Sequence, residues 1–162
     1  MKLQRTIGSV LISASLLAGS ISAAIAGQEV PIYLTFDGET SEVLAWSWGA
    51  SQSGSFHVGG GGGAGKANFQ DISITRLIDA QSPDFLAYVA NGSPAGLSKL
   101  TRGELTIEFS PVLVTSYSVG GTADKNSPQT ENISLNFGSV TYIIEGERFC
   151  WDVTKNTECS IP

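Results

Sequence analysis

The sequence predicts a mainly β domain, an antiparallel barrel or sandwich with one flanking α-helix and a long glycine-rich loop. Three observations carry this. Short runs that alternate apolar and polar residues recur along the chain, the period of strands with one buried face. A single stretch, from Ser82 to Gly92, has helical spacing framed by start and stop signals. Between Trp46 and Asp71 lies a connection far longer than two strands need, and it contains the glycine run Gly59 to Gly63.

Taken in order, Val30, Ile32, Leu34 and Phe36 alternate with Pro31, Tyr33 and Thr35, and this first strand ends at Asp37-Gly38. A second strand is expected over 43–48, with Leu44, Trp46 and Trp48 on one face. Two indoles so placed read as core or interface rather than as a sugar platform. A third strand, over 68–78, puts Ile72, Ile74 and the stem of Arg76 on one side and Ser73, Thr75 and Leu77 on the other. For the helix, Ser82 is the expected N-cap, Pro83 takes the first helical position, Asp84 complements the dipole and Asn91-Gly92 is the stop. Its stripe of Phe85, Leu86, Val89 and Ala90 should lie against the sheets. Further strands are expected over 105–109, 112–114, 133–137, 140–144 and 148–153, with a polar loop over 120–128.

The first residues have a separate logic. Lys2 and Arg5 precede an uncharged run over 7–25, and Ala24-Ile25-Ala26 is the small-x-small pattern at which signal peptidases cut. Serines and a glycine interrupt the run, unlike the dense apolar surface of a spanning helix. Residues 1–26 therefore read as a secretory leader, cleaved between Ala26 and Gly27, and residues 27–162 as one domain. The chain carries a formal charge of −6, and losing the two basic residues of the leader makes it more acidic still. Such a balance excludes the electrostatic footprint of a nucleic-acid binder or of a protein held on anionic membranes. Cys150 and Cys159 are the only cysteines. In an oxidising space they can form a disulfide tying the tail to the last strand, and closing a loop of about ten residues contributes roughly 2–3 kcal/mol. Two idle thiols are the alternative.

No catalytic constellation stands out. Gly60 to Lys66 fits the phosphate-loop spacing, but Ala67 replaces the hydroxyl residue that magnesium needs, and the segment that follows alternates as a strand. His57 is the single histidine, and without convergent ligands it reads as a hydrogen-bonding part of the loop rather than a metal ligand or base. Glu104 and Glu108 fall on one face of a strand, where carboxylates keep an edge soluble. No cofactor and no metal site is expected.

The Trp46 to Asp71 stretch also resembles a known family. Trp-Ser-Trp-Gly, Ser51-Gln52-Ser53-Gly54, His57, the glycines closing on Gly65-Lys66, and Gln70-Asp71 are similar to the signature of the haemolysin-coregulated protein family, Hcp. Thr75, Asp79, Ser82-Pro83, Leu113 to Ser116, Gly120-Gly121, Glu131-Asn132 and Leu135-Asn136-Phe137 follow in the same order. The resemblance implies a β-barrel core with a flanking helix and no enzymatic activity. It implies six copies closing into a ring, rings stacking into the inner tube of the type VI secretion system, and a lumen able to hold small effector proteins, with tip and sheath proteins as further partners. On matching positions, Ser53, Gly54, Phe56, His57, Val58, Gly59, Gly60, Gly61, Gly62, Gly63 and Gly65 are the ring-stacking and inter-subunit element. The leader points in a second direction. An exported chain is secreted or periplasmic, so an exported stand-alone Hcp-like binding or carrier protein is the alternative to cytoplasmic tube assembly followed by secretion.

Overall fold

The computed structural model describes residues 29–54 and 65–159. Strand β1 (Ile32–Phe36) turns at Asp37-Gly38 into β2 (Glu39–Val43), and both turn residues have positive φ, 51° and 85°. This is the mirror-image turn whose twist suits a two-residue hairpin, and Gly38 enters it at no steric cost. The alternation that marks the first strand ends here and gives no sign of β2. Its residues Glu-Thr-Ser-Glu-Val bury only Val43, so no alternation is visible.

The expected strand over 43–48 is instead a bend. β2 ends at Val43, Leu44 faces solvent, and β3 (Ala45–Ser47) continues in a new direction. Trp46 and Trp48 are half-buried against the core, as expected, but Leu44 does not share their face. The expected strand over 68–78 is divided as well, into β5 (Ala67–Phe69), which pairs with β4 (Ala50–Gln52), and β6 (Ile72–Leu77). On β6 the alternation holds: Ile72, Ile74 and Arg76 are buried while Ser73 and Leu77 are exposed.

The bend closes the architecture. β2 pairs with β1, β3 pairs with β6, and the Leu44 N–H donates to the Thr75 carbonyl at 2.8 Å across the junction. β6 pairs with β9 (Thr130–Ile144), β9 with β8 (Leu105–Gly120), β8 with β7 (Ser98–Arg102), and β7 with β1. The circuit is a closed antiparallel barrel, which leaves few edges open within it. β9 is shared along its length, its first half pairing with β6 and its second half with β10 (Glu147–Asp152). β10 and the two-residue β11 (Thr157–Glu158) therefore extend the sheet beyond the barrel.

β8 and β9 are each one long strand where the sequence reading expected two. Pro111 interrupts the first pattern because proline lacks a ladder donor. The register puts it opposite Gly138, where an added Cβ would stand 2.9 Å from the Pro111 ring, so the glycine makes room for the proline. Glu104 lies in the turn before β8, so it does not share a strand face with Glu108, which pairs instead with Lys99 at 2.7 Å.

Helix α1 (Ser82–Asn91) sits against the barrel with Phe85 fully buried, 4.7 Å from the Phe36 ring. Burying one phenylalanine contributes roughly 1.5–3 kcal/mol. The inward stripe is Phe85, Tyr88 and Val89, while Leu86 and Ala90 point outward. The cap position belongs to Gln81, and Ser82 is the first helical residue, its hydroxyl accepting from the Asp79 N–H at 3.0 Å. Gly92 ends the helix as expected, donating its N–H to Tyr88 O.

Candidate assembly arm

The residues that flank the glycine stretch leave the barrel as a ribbon. β4 and β5 pair only with each other, Ala50 with Phe69, Ser51 with Asn68 and Gln52 with Ala67. β4 is exposed throughout. An isolated two-stranded ribbon is marginal in water, because it has no face to bury. Its order comes from its root.

Three layers build that root. Nearest the ribbon, the Gln70 N–H donates to Gly49 O at 2.9 Å. Beneath it, Trp48 stacks on Phe69 with centroids 6.0 Å apart and on Tyr142 at 6.4 Å, and Phe69 meets Trp151 of β10 at 6.1 Å. Such aromatic pairs each add about 0.5–1.5 kcal/mol beyond their area. The third layer is polar. Asp71 accepts from Thr115 Oγ1 at 2.6 Å through one carboxylate oxygen and from Asn136 Nδ2 at 2.7 Å through the other. One side chain thereby holds the arm's exit to both β8 and β9. Thr115 is free to turn toward it because β8 has an irregularity between Val114 and Ser116.

At the mouth of the ribbon the structure brings together three of the expected interface residues. Gly65 faces Ser53 and Gly54, and a Cβ added to Gly65 would stand 2.1 Å from Ser53 Oγ, 2.7 Å from Gln52 Oε1 and 2.8 Å from Gly54 N. Two of those contacts involve side chains and one involves backbone, so any larger residue forces the strands apart. Phe56, His57, Val58 and Gly59 to Gly63 lie outside the described residues, as do Ala26 and Gly27.

Below the root sits a group that sequence reasoning saw only in part. Arg76 and Glu131 are both fully buried, with Nε 2.7 Å from Oε1. The N–H points off the line to that oxygen, so the contact is charge against charge rather than a well-formed hydrogen bond. Arg76 also donates to Gln81 Oε1 at 2.8 Å and to Ser41 and Asp79, and its guanidinium lies 5.1 Å over the Phe85 ring. Glu131 in turn accepts from the Tyr117 hydroxyl at 2.8 Å. Burial, then the Glu131 carboxylate, pushes the Tyr117 phenol above its ordinary value. The alternation of β6 marked Arg76 as inward, but its partner is 55 positions away on β9 and only the register brings them together.

Thr75 donates to Asn132 across β6 and β9 at 2.7 Å. Cys150 and Cys159 are joined by a disulfide in the structure, with Cα atoms 5.3 Å apart, at the junction of β11 and β10. The long motif is thus a barrel wall that presents a ribbon, and its polar residues are the pins.

Comparison with known proteins places this architecture. The family described as type VI secretion system effector, Hcp, matches residues 37–143. Protein hcp1 of Pseudomonas aeruginosa is 46% identical over 111 residues, covering 63% of this chain and 68% of its own. Among solved structures, a type six secretion system protein superposes with TM-score 0.73 at 20% identity, covering 81% of this chain and 100% of that one. Hcp1 from Salmonella typhimurium gives TM-score 0.68 at 24% identity, covering 82% and 100%. With most of its barrel inside the matched span and a relative at this identity, the chain belongs to the Hcp family of type VI secretion proteins.

Proposed function

We propose that this chain is a structural subunit rather than an enzyme, closing as a homo-hexameric ring that stacks into a tube of the type VI kind and carries small effector proteins in its lumen. The observation that carries the reading is the ribbon. It is rigidly rooted and exposed along β4, and it leads into a glycine run whose ordering is costly without a partner. A neighbouring copy supplies that partner, since head-to-tail contacts close into a ring when the rotation permits. In this reading Ser53, Gly54, Gly65 and the intervening Phe56, His57, Val58 and glycines contact the adjoining subunit or ring.

The test is particle mass. Size-exclusion chromatography with light scattering should give a multi-subunit particle for the parent chain. A variant with residues 55–64 replaced by a short turn should keep the barrel's melting behaviour and lose stacking. A parent that stays monomeric at all working concentrations sinks the reading.

A second reading is favoured by the Cys150–Cys159 disulfide. Such bonds persist in oxidising compartments, and together with the leader expected over 1–26 this supports an exported Hcp-like binding or carrier protein outside any tube. N-terminal sequencing of the protein recovered from the host separates the two. A start at Gly27 in the periplasm or medium favours export, and an intact Met1 in the cytoplasm favours tube assembly ahead of secretion.

A further inference from the structure

Strand β10 stands outside the barrel and, among the described residues, pairs with it only through β9. Its residues alternate between the two faces of the sheet. Phe149 and Trp151 share the face of Tyr142 and the buried Val140, whereas Arg148, Cys150 and Asp152 share the opposite face with Ile143, Thr141 and Ser139. Phe149 and Trp151 are stacked, with centroids 6.2 Å apart. Trp151 in turn is the ring that meets Phe69 of the arm at 6.1 Å, and Phe69 carries Trp48 at 6.0 Å. The root of the arm therefore leans on a strand that is not part of the barrel.

The tail covers that strand from its other side. β11 engages Trp151 and Asp152, and the Cys159 N–H donates to Cys150 O at 3.2 Å. A strand of two residues is too short to hold by its ladder alone. The disulfide anchors it, joining Cys159 to the residue beside Trp151. Thr141 Oγ1 donates to Cys150 Sγ at 3.3 Å, which links the bonded sulfur back to β9. With the bond formed, the segment over 150–152 has a neighbour on each side. Once the tail is released the same segment is an edge, and edges open locally at lower free energy than strands paired on both sides.

We propose that the Cys150–Cys159 bond is a redox latch on the arm. It forms by exchange with a disulfide oxidant, which takes up the two electrons and two protons of the two thiols. Closed, it fixes Trp151 under Phe69 and stiffens the root. Reduction by a dithiol returns a hydrogen to each sulfur, leaves the reagent as its own disulfide, and loosens the arm while the barrel stays folded. Thiols persist in reducing compartments and disulfides in oxidising ones, so the latch closes when the chain passes from the first to the second. The latch itself stands on the contacts at the root, and its effect on assembly rests on the ring reading given above.

Hydrogen exchange tests it, with labelling times short enough that β6 takes up no deuterium in either redox state and with samples compared at matched particle mass. The peptide over residues 67–70 of the parent should exchange roughly tenfold faster in dithiothreitol than without it. Cys150→Ser/Cys159→Ser should give the fast rate with and without reductant. Trp151→Leu, its disulfide intact, should be equally fast and indifferent to reductant. An arm that exchanges alike in the oxidised and reduced parent, or a Trp151→Leu arm that stays slow or still answers to reductant, overturns the latch and leaves the ring reading intact. By light scattering the oxidised parent should assemble at lower concentration than the reduced one. A parent that is monomeric in both states overturns the ring reading alone, and exchange at the arm still decides the latch.

Discussion

The wall of the barrel at β6 and the ribbon made by β4 and β5 are separated by two residues, yet their conformations are set in opposite ways. β6 has neighbours on both sides and buries Ile72, Ile74 and Arg76. The ribbon pairs only with itself and owes its position to Gly49, Trp48, Phe69 and Asp71 at its base. The difference teaches where to look for each property. Stability resides in the wall, and the contact proposed above with another copy resides in what the wall holds out. Changes to the wall should alter folding free energy, and changes to the ribbon should alter assembly at nearly constant stability.

The sharpest way to break the wall is Glu131→Ala. It leaves Arg76 without its one fully buried carboxylate partner, only the half-exposed Asp79 remaining, and unmaking such a buried pair costs about 3–5 kcal/mol. Urea denaturation should register that loss, and a change below about 1 kcal/mol would refute a central role for the pair. Next comes the tail. Reducing the disulfide, or Cys159→Ser, should destabilise the chain by roughly 2–3 kcal/mol. Equal melts with and without reductant would show that the bond adds no stability to the tail.

Gly65→Val tests the other side of the comparison. Its side chain collides with Ser53 and Gly54 at the ribbon's mouth, so assembly should fail by light scattering while the melt shifts by about 1 kcal/mol or less. A large loss of stability there would mean that the ribbon belongs to the wall. The smallest effect concerns pH. The Tyr117 phenol is raised by burial and by Glu131, so its stabilisation is complete below about pH 10 and declines as pH rises through the folded value. Tyr117→Phe should flatten the fall in stability above pH 10, measured by denaturation between pH 8 and 11, at the cost of about 1 kcal/mol for the lost hydrogen bond.

What the amino-acid pattern could reveal follows the same line between regions. Where one face of a strand is buried, as on β1 and β6, alternation announced the element and even the inward direction of Arg76. Where a strand is polar on both faces, as on β2, or interrupted by a residue whose fit depends on a partner, as at Pro111 opposite Gly138, nothing local marks it. The helix was legible through Pro83, Asp84 and Gly92. Its inward stripe was misjudged at Leu86 and Ala90 because hydrophobicity alone does not tell a covered side from a bare one. The arm stood out by composition, but its root did not, since Asp71, Thr115 and Asn136 are brought together only by the register of β8 and β9.

Asp71 has a consequence for how such a protein can diversify. With one oxygen committed to Thr115 and the other to Asn136, and with Gln70 fastened to Gly49, the two ends of the excursion are sealed before the chain departs. Everything between Gln52 and Ala67 can then be lengthened, trimmed or exchanged without the rest of the fold registering it. The molecule is a socket with a replaceable fitting, and new specificities can be spliced in at that point while the chassis stays the same.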